Sequence, residues 1–463
     1  MHVWQSLPPR TRLLSFIALG LAMTSTACAQ EEASDGMPEE ATSHLRGRLT
    51  VSAEIDTTQD YRGFEVLVAV DADGQPDTLG YATTDIDGAY ALDITAPSRG
   101  IYALIISKGG QILKIDELAV AEGDSATMDA TFPLDNRQLR LRSAENAAWM
   151  AYKNTKAQHN TRLLELVKTA SYDEATARRL VQQTSMILWN MQSTFPGTMG
   201  SEAAAAEAVV MGTGWIDSLS VERARSVPPE FVNYAAVGRA ARRALARLEG
   251  QAAALALLRE FRRKAVREDD RAQLHSELIL AHIDSLEHDD AIAEANLLAD
   301  TYPEISWQRW AERAIYDIET LSPGKPAPAL EVVTAAGDSL ELSALRGRWV
   351  ILEFYRPQDA VYQRELQVRA SLARDVGDDA LSIVSISLEP DTLLNDAFLD
   401  GRDVPGHIVF ADDEAPAVLY NVNRVPTRYL VDPAGKIVAK YIGGAIEALR
   451  EDVLALLESG GTH

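Results

Sequence analysis

Between residues 45 and 133 the apolar positions fall in short runs with the two-residue period of strands that bury one face. Leu49 to Ala53, Phe64 to Val70, Leu79 to Thr84, Ala89 to Ile94, Ile101 to Ser107 and Ile112 to Val120 are rich in β-branched and aromatic residues. Turn-forming clusters separate them: Asp71-Ala72-Asp73-Gly74, Asp85-Ile86-Asp87-Gly88, Ser98-Arg99-Gly100 and Gly109-Gly110. Many short strands with regular turn signals predict a β-sandwich over 45–133. Asp85 and Asp87 could open a calcium loop, but the Glu such a loop needs at its twelfth position would fall at Ala96, so a plain turn is expected.

From 137 to 320 the period changes to that of helices, which predicts an all-α middle region. Ser171 with Glu174 has capping-box spacing before an apolar-periodic segment that ends near Trp189. Pro228-Pro229 is expected to start another helix, which runs to Leu248 and stops at Gly250. Leu274 to Leu286, Ala291 to Tyr302 and Trp307 to Leu321 predict successive antiparallel helices in an irregular bundle, with no clean repeat of fixed period. His275 and His282 share one helical face, with His288 further on. Zinc-binding histidines on a helix usually stand four apart with a carboxylate in reach, so no metal site is expected from this spacing.

Pro323-Gly324-Lys325-Pro326-Ala327-Pro328 breaks the pattern and opens a third region, 323–463. Strand and helix then alternate. Strand Trp349 to Phe354 is followed by a helix from Asp359, strand Leu381 to Leu388, a helix near Leu393 and a short strand His407 to Phe410. Strands Arg428 to Val431 and Ile437 to Tyr441 form a hairpin turned by Asp432-Pro433-Ala434-Gly435, and a helix from Ile446 to Leu457 ends the pattern. This is an α/β arrangement. The whole is expected to be multidomain: N-terminal β-sandwich, all-α middle region and C-terminal α/β fold.

The charge balance narrows the partners. The formal net charge is −24 over 463 residues. Nucleic acid is excluded, because phosphate binding needs a basic face. A single cysteine, Cys28, allows no internal disulfide and no multi-cysteine metal site. Arg10 and Arg12 precede an apolar run from Leu13 to Met23, and small residues lead to Cys28, the order of a secretory signal over 1–29. The run is too short to span a bilayer as a helix. Ala27-Cys28-Ala29 permits cleavage to a soluble protein starting near Gln30. Ser25-Thr26-Ala27-Cys28 resembles a bacterial lipobox, in which Cys28 becomes the lipidated first residue, although Ser25 stands where Leu, Val or Ile is usual. Residues 30–44 then predict an acidic tether. The expected location is the bacterial cell envelope, periplasmic or surface-exposed, anchored through Cys28; soluble export is the alternative.

Several segments carry family resemblances. Thr83 to Leu92, TTDIDGAYAL, resembles the turn and strand of carboxypeptidase-regulatory-like sandwiches, which implies an inward-packing Tyr90. Gly324 to Val332, Leu345 to Phe354 and Tyr420 to Gly443 resemble the TlpA-type thioredoxin-like oxidoreductases and the related AhpC/TSA peroxiredoxin group. The resemblance implies a thioredoxin-like fold and a cis-proline loop at Val425-Pro426. In that family the stretch after the first central strand carries Cys-x-x-Cys. Counting back from Glu365 puts Asp359 and Tyr362 at those two positions. Neither a carboxylate nor a phenol can exchange disulfides, because that chemistry requires a thiolate.

These residues therefore predict no catalytic residue, no cofactor and no metal, but a binding or scaffold protein that recognises an envelope protein or peptide. Arg356, Arg424 and Arg428 flank the degenerate site and are the expected ligand rim. Asp359 is expected to serve as the helix N-cap, and Tyr362 to fill the space beside Pro426. Two alternatives remain: a thiol–disulfide oxidoreductase or antioxidant family member, and an accessory subunit of a surface uptake or assembly system.

Overall fold

Side chains alternate between buried and exposed along β1 (Ala41–Val51), so the first strand starts within the segment expected as tether: Ala41 to His44 already pair with the strand Ala89–Ala96. Its inward positions include Ala41 and Ser43, residues too small and polar to announce a strand. The computed structural model describes residues 40–72, 75–134, 139–168, 173–402, 404–411 and 413–460. Cys28, the signal and most of the tether lie outside the described residues.

The N-terminal region is β-rich. β2 (Phe64–Ala72), β3 (Gln75–Thr83), β4 (Ala89–Ala96), β5 (Gly100–Lys108), β6 (Gln111–Val120), β7 (Ser125–Met128), β8 (Ala130–Phe132) and β9 (Leu141–Arg142) follow β1. One sheet has the order β4-β1-β7-β9, with β8 also paired to β1; the other has the order β3-β2-β5-β6. Leu45, Leu49 and Leu92 of the first sheet share one apolar core with Val66, Val68, Leu104 and Ile106 of the second. Gly47 is required where β1 passes β7, because a Cβ there would lie 1.9 Å from the Met128 carbonyl oxygen. Tyr90 packs inward and donates to the Met128 carbonyl at 3.0 Å. Asp85 accepts from the backbone of Asp87 at 3.0 Å and of Ala89 at 2.8 Å, the hydrogen bonding of an Asx turn. β9 lies inside the stretch expected to be helical, where two residues are too few to show a period.

The middle is all-α: α1 (Ala144–Lys168), α2 (Glu174–Thr194), α3 (Met199–Gly212), α4 (Asp217–Ser226), α5 (Tyr234–Glu249), α6 (Gln251–Lys264), α7 (Glu268–Asp284), α8 (His288–Thr301) and α9 (Ile305–Thr320). The cap of α2 is Asp173, whose carboxylate accepts from Ala175 and Thr176 at 3.1 Å; Ser171 lies outside the described residues. α5 starts at Tyr234 rather than at Pro228-Pro229, and stops at Gly250, φ 90°. α3 shows no amphipathic period because it is buried nearly all round. Gly200 lets it approach α1, since a Cβ there would sit 2.3 Å from the Ala148 carbonyl carbon. Among the described residues no helix is long and apolar enough to cross a membrane.

The chain divides into two compact units, and the division falls within α7, between Leu274 and His275. In the second unit α9 is tied to the C-terminal α/β domain. Tyr316 donates to the Leu419 carbonyl at 2.9 Å, Asn421 donates to the Arg313 carbonyl at 3.1 Å, and Lys440 pairs with Asp317 at 3.2 Å.

That domain opens with a small hairpin, β10 (Glu331–Val333) and β11 (Ser339–Glu341). Its central sheet contains β12 (Trp349–Tyr355), β13 (Leu381–Ser387), β14 (His407–Phe410), β15 (Thr427–Val431) and β16 (Ile437–Ile442), in the order β14-β13-β12-β15-β16. β12, β13 and β14 run parallel, and the hairpin β15–β16 joins antiparallel to β12. Helices α10 (Ala360–Val376), α11 (Thr392–Leu399), α12 (Ala415–Leu419) and α13 (Ile446–Gly460) complete it. Apolar cores line both faces of β12, Leu352 and Phe354 on one side and Ile351 on the other, as its nearly unbroken apolar run requires. This is the thioredoxin-like α/β fold.

Candidate functional site: the degenerate redox position

The end of β12 and the start of β15 are neighbours in the sheet, with Phe354 paired to Thr427. Arg356 leaves that edge from one strand, and Arg424 approaches it from the other. Both are exposed. The Val425–Pro426 peptide bond is cis, and the Thr427 hydroxyl donates to the Arg424 carbonyl at 2.6 Å.

Asp359 caps α10. Its side chain accepts from the Tyr362 backbone N–H at 2.8 Å, and its carbonyl accepts from Gln363 at 3.0 Å. A carboxylate at this position meets the positive end of the helix dipole, so the helix start keeps a favourable partner without a thiolate.

Tyr362 is fully buried and stacks on Tyr355, with ring centroids 4.2 Å apart and planes 21° from parallel. Phe398 closes the cluster from α11. The Tyr362 hydroxyl donates to Glu353 at 3.3 Å. Burial, and then the nearby Glu353 charge, push the Tyr362 phenol well above its ordinary value; the same two causes hold Tyr355 at about 12. Both phenols therefore stay protonated at neutral pH, and neither is a base or a nucleophile.

Arg428 is not at the rim. It is 0% exposed and lies beneath the site, because β12 and β15 pair Glu353 directly with Arg428. Glu353 accepts from Arg428 at 2.7 Å, from Arg369 of α10 at 2.8 Å and from Ser385 of β13 at 2.8 Å. Arg369 also donates to Ser385 at 2.5 Å and to the Pro405 carbonyl at 2.8 Å. Arg428 faces a second carboxylate, Glu365, at 2.8 Å. Burial alone would raise the Glu353 carboxyl, but Arg369 and Arg428 outweigh it and hold the group at about 2. For Glu365 burial wins over Arg428, and the carboxyl is raised.

The sheet and α10 thus bring together Glu353, Glu365, Arg369 and Arg428, of which only Arg428 had been expected as a site residue in the sequence, Glu365 having served there to set the register of the motif. The signal for Glu353 was present: a lone charge inside the buried run Trp349 to Tyr355 must be paired.

The AhpC/TSA family profile matches residues 323–440. The C-terminal domain is accordingly an AhpC/TSA-type thioredoxin-like domain. It is similar to proteins called thiol-disulfide oxidoreductase ResA. The one from Bacillus subtilis (strain 168) is 26% identical over 144 residues, which cover 31% of this chain and 80% of that protein. The one from Halalkalibacterium halodurans is 25% identical over 122 residues, 26% of this chain and 69% of that protein. A solved structure of a putative thiol:disulfide interchange protein DsbE from Chlorobium tepidum is 23% identical, with a TM-score of 0.28, covering 29% of this chain and 96% of that one. The family profile and the ResA sequences bear on the C-terminal domain, and they favour the thiol–disulfide oxidoreductase alternative over a scaffold role.

Proposed function

We propose that this chain is a redox-inactive member of that family, in which the thioredoxin-like domain binds rather than turns over. The observation that carries the reading is the occupation of the two Cys-x-x-Cys positions by an N-cap carboxylate and a core phenol, in a chain whose single cysteine is Cys28. The binding edge is the one where Arg356 and the loop Arg424-Val425-Pro426 meet. An extended peptide can add there through main-chain hydrogen bonds, which need no thiol. The two exposed guanidiniums favour an acidic segment or a terminal carboxylate. Residues 1–29 are read as an export signal with Cys28 as the lipid-bearing residue, which places the domains in the bacterial envelope. The two N-terminal sheets are read as the faces of a β-sandwich, and the helical middle as a further docking surface.

Both halves of the reading meet in one experiment. Full-length protein is extracted from envelope membranes by detergent phase separation, and its co-purifying partner is identified and quantified. Wild type is expected in the detergent phase with its partner, and Cys28→Ala in the aqueous phase or unprocessed. Arg356→Ala with Arg424→Ala should keep the thermal midpoint and lose partner, since each charge-assisted contact desolvated by binding contributes about 1.5–3 kcal/mol. Unaltered capture by the double variant would leave this edge without a binding role.

A further inference from the structure

The corner between α7 and α8 carries a side-chain cluster that the thioredoxin-like domain does not use. α7 ends in a Schellman turn: the Leu286 N–H bonds the Ile283 carbonyl at 3.0 Å, and the Glu287 N–H bonds the His282 carbonyl at 2.9 Å. Leu286 stands at the left-handed position, φ 59°, where glycine is usual. This reversal folds Glu287 back over the last turn of α7. Glu287 occupies the N-cap of α8, yet its carboxylate makes no cap bond. It turns instead onto His282, with Oε2 2.6 Å from Nδ1. Asp290, one turn into α8, adds a second carboxylate from the same helix face. Donor atoms of His282, Glu287 and Asp290 all lie within 4.8 Å of one another. His282 is 4% exposed, while both carboxylate residues are open to water.

We propose that His282, Glu287 and Asp290 form a binding site for a divalent transition metal of the zinc class, with water completing the coordination. The cluster is more than an acidic patch, because it is built on a buried imidazole whose Nδ1 points at the carboxylates. One nitrogen and two carboxylate oxygens suit zinc; calcium and magnesium favour all-oxygen sets. Two carboxylates also neutralise the divalent charge. Tetrahedral ligands at zinc–donor lengths of about 2.0–2.2 Å stand roughly 3.3–3.5 Å apart, so the donors reach by side-chain rotation without moving either helix. The metal takes the place of the hydrogen between His282 Nδ1 and Glu287 Oε2, and the neutral imidazole then carries its one proton on Nε2. The histidine spacings within α7 gave no hint of this, because the ligands sit as His-x4-Glu-x2-Asp across a corner rather than along one helix.

The test is calorimetric titration of untagged full-length protein with Zn2+, repeated with Mg2+ and Ca2+. One saturable Zn2+ equivalent is expected, with affinity falling as the pH is lowered and protons compete for the ligands. Glu287→Gln and Asp290→Asn, both at exposed positions and expected to stay folded, should each weaken Zn2+ binding by at least roughly 10–100-fold, the scale seen when only a group supporting a ligand is removed. Cobalt substitution should give a visible absorption band that His282→Gln abolishes. No saturable binding, unchanged affinity in both carboxylate variants, or equal affinity for Mg2+ would overturn the proposal.

Discussion

Replacing Glu353 with alanine should lower the stability of the C-terminal domain by about 3–5 kcal/mol, the cost of removing one partner from a buried ion pair. The reason is the pair of guanidiniums left behind. Arg369 and Arg428 are 2% and 0% exposed, and both are held by Glu353. Without it they remain desolvated cations, with Glu365, raised by burial, the other carboxylate facing Arg428. The check is hydrogen exchange of amides in β12 and β15, which reports this domain's opening free energy in a chain of several parts. Replacing Glu353, Arg369 and Arg428 together by apolar residues of similar volume should recover much of the loss, because the pairs offset their own desolvation only partly. A pH dependence follows with a definite sign. Glu353 is held at about 2 in the folded protein, below the ordinary carboxylate value in the unfolded chain. Its stabilising contribution is therefore complete above that ordinary value and is lost as the pH falls through about 2. The alanine variant should lose the share of acid sensitivity in that window that Glu353 supplies. Equal exchange protection in wild type and variant would contradict this account of the network.

Tyr362→Ala should also remove about 3–5 kcal/mol from the same domain, the range for truncating a fully buried aromatic. The ring fills the cluster with Tyr355 and Phe398, and its stacking on Tyr355 adds about 0.5–1.5 kcal/mol beyond area burial. Tyr362→Phe should lose only about 1 kcal/mol, since it keeps the ring and forfeits one long hydrogen bond to Glu353. The contrast separates two roles for the position. A residue kept for chemistry is replaceable without unfolding, whereas one that has become core is not. The same exchange measurement on β12 decides it. A loss below about 1 kcal/mol for Tyr362→Ala would mean that the position is not part of the core.

Particular residues show how far the sequence reaches. Trp349 to Phe354 is legible as a central strand because a run that is apolar at every position but Glu353 must be buried on both faces. Asp359 is legible as a cap because residue type and position suffice. Arg428 is not legible as a buried group: its partner Glu353 lies 75 residues earlier and meets it only through the pairing of β12 with β15. The start of β1 is hidden for a different reason, since small and polar residues such as Ala41 and Ser43 face inward. α3 is hidden because a helix buried all round has no period. Local signals thus reach the elements and their caps, while the placement of charge depends on which strands become neighbours.

The proposal is that this thioredoxin-like domain carries out no thiol chemistry. It is tested most directly by thiol-dependent turnover of the purified full-length protein, measured beside its Cys28→Ala variant. Insulin-disulfide reduction and peroxide consumption with a thiol reductant are the two readouts. The account predicts rates equal to the buffer blank for both proteins. Turnover above the blank in either one would contradict it, since the groups at the redox positions are the Asp359 carboxylate and the Tyr362 phenol.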